Sequence, residues 1–112
     1  MRIAIPLAEG RLAMHFGHCQ EFAFVEVDPE EKRITAQSTE AAPAHEPGLL
    51  PKWLAEHGVS MIVAGGMGRR AQDLFAQQDI QVLTGAPALD PESIVGQYLD
   101  GTLATGDNLC DH

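Results

Sequence analysis

The sequence predicts an α/β domain with a mixed five-stranded sheet flanked by helices, and three observations carry the prediction. Two strand-like runs joined by a turn follow an N-terminal apolar strand, so part of the sheet should be antiparallel. Val59 to Ala64 forms an apolar run of the kind that fills a strand buried on both faces. From residue 49 onward, strand-like runs alternate with segments whose apolar residues recur at helical spacing, which implies parallel strands linked by right-handed crossovers.

The elements follow in order. Ile3 to Leu7 is the first strand, and Pro6, which has no amide to give a ladder, can close it. Phe22 to Asp28 reads as a strand. After the turn-like Asp28-Pro29-Glu30-Glu31, Arg33 to Gln37 resumes as its antiparallel partner. A Pro-, Ala- and Glu-rich connection from Thr39 to Gly48 leads to a helix marked by Leu50, Trp53, Leu54 and His57, with Pro51 near its start and Gly58 just past its end. Gly65-Gly66-Met67-Gly68 turns the chain after the buried strand, and Ala71, Leu74 and Phe75 stripe a second helix. Ile80 to Leu83 supplies the fifth strand. Pro91 opens a third helix carrying Ile94, Val95, Tyr98 and Leu99. Periodicity stops after Gly101, so residues 1–104 read as one domain and 105–112 as a C-terminal tail.

Composition narrows the function. A chain of 112 residues has room for one core. It is 45% hydrophobic and 21% charged, an ordinary balance for a folded soluble domain. Sixteen acidic residues against seven Lys and Arg give a net charge of -9, which repels a phosphate backbone and argues against nucleic acid as a partner. No apolar run reaches the roughly 20 residues needed to span a bilayer, and Met1 runs straight into a strand without a signal-peptide pattern, so a cytoplasmic protein with no membrane partner is expected. The two cysteines, Cys19 and Cys110, lie far apart, and a structural disulfide is the weaker reading.

The densest chemistry is His15-Phe16-Gly17-His18-Cys19, three possible soft ligands within five positions. Imidazole and thiolate suit zinc, copper, iron and metal-sulfide species, whereas magnesium or calcium would call for oxygen ligands. The alternative is a partly buried cysteine with two surface histidines. Cys110 and His112 form a second soft pair in the tail, able to complete a four-ligand site if the tail reaches the loop, and His45 is a further candidate in the connection.

The turn Gly65-Gly66-Met67-Gly68-Arg69-Arg70 joins a strand to a helix, where free backbone amides and the helix dipole favour an anion. Close helix-to-strand packing explains the same glycines. The loose G-x-G-x-x-A match through Ala71 lacks an acidic ribose ligand after the next strand, and no Gly-Lys-Ser or Gly-Lys-Thr is present, so neither a dinucleotide fingerprint nor a Walker A loop is formed. Trp53, Met14, Met61 and Met67 read first as packing residues, and His57 as a residue suited to a helix C-terminus. No Ser-His-Asp triad or dedicated pair of catalytic carboxylates is visible, and the chain is not expected to be an enzyme.

Together, His15-Phe16-Gly17-His18-Cys19 before Phe22, His45-Glu46-Pro47-Gly48, and Gly65-Gly66-Met67-Gly68-Arg69-Arg70-Ala71 before Leu74-Phe75 resemble the dinitrogenase iron-molybdenum cofactor biosynthesis family. That family takes in NifX-like proteins, the C-terminal part of NifB and the molybdenum-copper orange protein, and the match covers nearly the whole chain. The resemblance implies a ribonuclease H-like motif without nuclease activity. It also implies a role in binding, carrying or helping to assemble a metal-sulfur cluster of iron-molybdenum or molybdenum-copper type. It further implies that the loop of His15, His18 and Cys19 lies near the Gly65 to Gly68 turn, with His45 approaching from the connection. An Mrp-type P-loop ATPase or cofactor-assembly proteins are the partners it suggests. The Cys110-Asp111-His112 ending is not general to the family. Two other functions compete: a zinc-stabilised regulatory or interaction module using Cys19, Cys110 and two histidines, and an enzyme acting on a phosphorylated small molecule at the glycine turn.

Overall fold

The computed structural model describes residues 1–43 and 48–105, and of His18 the backbone only. At its centre lies β1 (Arg2–Ala8), whose residues Ile3 to Leu7 are all buried. Alternation sends Ile3, Ile5 and Leu7 to one face of the sheet and Ala4 to the other, where two separate apolar clusters receive them. β3 (Glu21–Asp28) lies antiparallel to β1 and is likewise buried through its middle, and β4 (Arg33–Ala41) lies antiparallel to β3 as the outer strand. On the other side of β1, β5 (Met61–Val63) and β6 (Gln81–Leu83) continue the sheet in parallel. The order is β4-β3-β1-β5-β6, the mixed five-stranded path expected from the sequence.

One addition and one extension were not legible. β2 (Arg11–Leu12) folds back on β1 through Glu9 and Gly10, both with positive φ, the backbone a tight hairpin needs. It makes a sixth strand, and two residues are too few to show any periodicity. β4 runs to Ala41, well into the segment read as a connection. Only Ile34 of its nine residues is even partly covered, so the alternation that betrays a half-buried strand is missing from its sequence.

Helices cover the two faces. α1 (Leu49–Glu56) and α2 (Arg69–Gln77) bury Leu50, Leu54 and Phe75 against Ala4, Phe22, Phe24 and Ile62. Each of the largest of these side chains contributes about 2–3 kcal/mol by leaving water. Trp53 packs against Phe22 and Phe24 with ring centroids 5.6 and 5.8 Å away, and His57 at the end of α1 stacks on Phe24 and lies 2.7 Å from the Trp53 carbonyl through Nδ1. Both residues thus serve packing and helix termination.

α3 (Pro91–Asp100) sets Ile94 and Val95 on the opposite face, against Ile3, Ile5, Val25 and Val63. Asp90 caps it by accepting from the Ser93 amide at 3.0 Å, Pro91 occupies the first turn, and Gly101 ends it in the left-handed conformation. Among the described residues, no helix is long and apolar enough to cross a membrane.

Candidate functional site

The carboxyl ends of parallel strands are where open α/β sheets gather ligands, because the loops there fan outward and helix N-termini face them. Three loops meet at that end of β1, β5 and β6. The first, from β2 through a single 3-10 turn at Phe16–His18, crosses to the glycine turn. His15 forms an isolated parallel bridge with Gly66: the Phe16 amide donates to the Gly66 carbonyl at 2.8 Å, and the Gly66 amide donates to the Met14 carbonyl at 2.6 Å. The third loop follows β6, where the Gly85 amide donates to the Gly65 carbonyl at 2.7 Å.

Gly65 is the pivot. A Cβ placed there would stand 2.7 Å from the Met14 carbonyl oxygen, 2.9 Å from the Met14 Cα and 3.0 Å from the Ala13 oxygen, all backbone atoms that no rotamer change can move. Close approach of the first loop to the end of β5 therefore requires a residue without a side chain. Gly66 then takes its place in the bridge with both its amide and its carbonyl engaged.

Beyond the glycines, α2 presents its N-terminus. Gly68 at the N-cap has no side chain to occupy the first amides, and the first turn holds no acidic residue. Arg69 and Arg70, both exposed, begin the helix, so dipole and guanidinium charges add at one spot of a chain with net charge -9. The Gln72 side chain donates to the Met67 carbonyl at 2.9 Å and stiffens this entry. Met67 itself is fully buried with Phe75 and Ile62, so its side chain packs the core and the turn can offer a ligand only its main chain.

Of the soft ligands, His15 is exposed beside the bridge. Cys19 is not: it is 5% exposed in the cluster of Phe22, Phe24, Leu50 and Leu54, and burial pushes its thiol up to about 11, a little offset by a hydrogen bond to its own backbone. It is a protonated core residue at neutral pH, matching the packing alternative for this cysteine. The His18 side chain, His45, Cys110 and His112 lie outside the described residues. Among the described residues, no three His, Cys, Asp or Glu side chains are grouped to hold a metal ion, and the zinc module finds no support there.

The family model for the dinitrogenase iron-molybdenum cofactor matches residues 1–101 of this arrangement, which is nearly all of the domain. The chain belongs to the dinitrogenase iron-molybdenum cofactor family. Among its relatives is an uncharacterized protein of Methanocaldococcus jannaschii, MJ0580, 30% identical over 106 residues that make up 92% of this chain and 89% of the relative. The crystal structure of PH0822 superposes with a TM-score of 0.85 at 28% identity, covering 94% of both chains. The apo form of the orange protein from Desulfovibrio gigas shares the fold at 22% identity, with a TM-score of 0.71 over 96% of this chain and 93% of its own.

For a member of the iron-molybdenum cofactor family, the site is thus built, among the described residues, mostly of main chain and cationic groups, with the exposed His15 imidazole at its rim. Sequence reasoning missed Thr84-Gly85-Ala86 as its third wall. Gly85, which the structure holds at positive φ, was the one hint in the sequence, and a lone Thr-Gly after a strand marks a turn of any purpose.

Proposed function

We propose that the chain binds and carries a metal-sulfur cluster of iron-molybdenum or molybdenum-copper type, and that it does so by holding cargo rather than by turnover. One observation carries the reading: in a protein of net charge -9, the exposed His15, the strapped glycine turn and the N-terminus of α2, with Gly68 as its N-cap and Arg69 and Arg70 in its first turn, share one end of the sheet. A metal-sulfide cluster combines soft metals with an anionic sulfide surface. Imidazole suits the first, and amides with guanidinium groups suit the second.

In this reading Arg69, Arg70 and the amides around Gly68 bind the anionic face, and His15 orients or ligates the cluster. His18, His45, Cys110 and His112 are the additional donors that the sequence offers. Cys19 serves by packing beneath the loop instead of by coordination. An Mrp-type P-loop ATPase and cofactor-assembly proteins in the cytoplasm are the partners that fit a carrier of this kind.

The test is anaerobic reconstitution of the full chain with molybdate, copper and sulfide, or with iron and sulfide, followed by desalting and elemental analysis. Retained colour with stoichiometric metal and acid-labile sulfide is expected, falling at least tenfold in the Arg69→Ala, Arg70→Ala double variant. No uptake by the folded chain under either condition would overturn the proposal, and one zinc without sulfide would replace it with the zinc module.

A further inference from the structure

The two outer strands of the sheet differ sharply. β6 has three residues, whereas β4 has nine, eight of them exposed. Natural sheets guard long outer strands with charges, proline or brevity, because an open row of amides and carbonyls invites another strand. Residues 34–39 of β4 read Ile-Thr-Ala-Gln-Ser-Thr, with no charge and no proline, in a chain that is 21% charged. Charge returns only at the two ends, as Arg33 and Glu40.

The register of β4 on β3 shows how a second strand would fit. Ala36 lies opposite Glu26 and Ile34 opposite Val27, so Thr35 is an extra residue, and its hydroxyl donates back to the Glu26 carbonyl at 3.3 Å. Because of this bulge, Arg33 and Glu40 lie on the same face of the sheet, the face of Phe22 and Phe24, while Ile34 and Thr39 share the other. Directly paired antiparallel residues must share a face.

We propose that β4 pairs antiparallel with β4 of a second copy of this chain, with Gln37 on the two-fold axis. Ala36 then faces Ser38, Thr35 is passed over as it is on β3, Ile34 faces Thr39, and Arg33 faces Glu40. Each of these pairs occurs twice, as an isologous contact requires. Charge complementarity selects this register. An axis at Ala36 sets Arg33 against Ser38, and one at Ser38 sets it against Ala42, neither of which is acidic. Glu40 also lies 3.5 Å from His57 of its own chain, so the seam ties into the end of α1. The two-fold reverses the strands, and the two candidate sites face opposite ends of the joined sheet.

Sedimentation equilibrium of the full chain over micromolar to millimolar concentrations tests the pairing. A species of twice the 12.0 kDa chain mass is expected. Arg33→Glu and Glu40→Arg should each shift it at least tenfold toward monomer, and the combined swap should restore it. Thermal unfolding of each variant checks that it is folded. If Glu40→Arg fails to fold, cross-linking carries the test. In a Cys110→Ser background, Gln37→Cys should form an intermolecular disulfide readily, because directly opposed residues stand about 4.5–5.5 Å apart. Thr39→Cys should not, since it would lie about 13 Å from its own copy. A chain that stays monomeric throughout, a dimer indifferent to both charge reversals, or a monomer that instead captures an extended peptide along β4 would overturn the proposal.

Discussion

Replacing Gly65 with alanine should loosen the seam that holds the first loop to the end of β5. The added methyl would meet the Met14 oxygen at 2.7 Å, and ordinary contact begins at 3.4 Å, so the loop must retreat. A retreat of about 0.7 Å stretches the Phe16–Gly66 and Gly66–Met14 hydrogen bonds toward or beyond the upper end of the normal range. Weakening two such bonds costs about 1–2 kcal/mol, and the local overpacking about 1–2 more. The expected loss is therefore roughly 2–4 kcal/mol, a fall of about 1–2 M in the urea midpoint with unchanged slope. Gly68→Ala is the control, because a Cβ there meets nothing within 4 Å and the backbone has a negative φ; it should be nearly neutral. Urea unfolding followed by Trp53 fluorescence reads both. A Gly65→Ala protein within 0.5 kcal/mol of the parent would refute the account of the seam.

Cys19 makes the fold alkali-sensitive. Its thiol is held up to about 11 from 9.0, so the unfolded chain releases the proton first, and stability should decline as pH rises through that window, by about 2–3 kcal/mol once both are passed. Urea titrations at stepped pH should show this slope in the parent and lose it in Cys19→Ala. The same burial should make thiol-specific reagents react with Cys19 only on the timescale of opening, measured against the fast denatured reaction. At α3, hydrogen bonds from Ser93 hold the Asp90 carboxyl below its usual range. Asp90→Ala should lower the unfolding midpoint at neutral pH, and the difference from the parent should shrink as pH falls through that lowered value. In reconstitution, Arg69→Ala and Arg70→Ala should each reduce cluster retention several-fold without altering the far-ultraviolet dichroism, whereas Lys52→Ala, at an exposed position of α1, should leave retention unchanged.

The elements that bury an apolar face were legible because burial imposes a period. Leu50, Leu54 and Phe75 announced two helices, and Pro91 with the stripe from Ile94 announced the third, since the core demands apolar residues at their spacing. β4 beyond Gln37 was illegible for the converse reason: an exposed outer strand answers to backbone pairing alone, and its side chains are free to vary. At the site, the proximity of the His15 loop to the glycine turn came from resemblance, and the bridge at Gly66 supplies the physical reason. The depth of Cys19 was beyond reach, because a thiol in a short motif reads the same whether it points at solvent or at Phe22. Gly85 joins the rim through a main-chain bond to Gly65, which a glycine after a strand does not by itself announce.

That reliance on main chain has a consequence for how such a protein can diversify. The frame around the site is tied by amides and carbonyls of residues 14, 16, 65, 66 and 85, with Gly65 sterically compelled and Gly85 held at positive φ. The exposed side chains of Met14 and Arg70 hang on that frame without entering its main-chain bonds. Evolution or an engineer can therefore rewrite the chemistry of the opening one side chain at a time while the scaffold beneath keeps its shape.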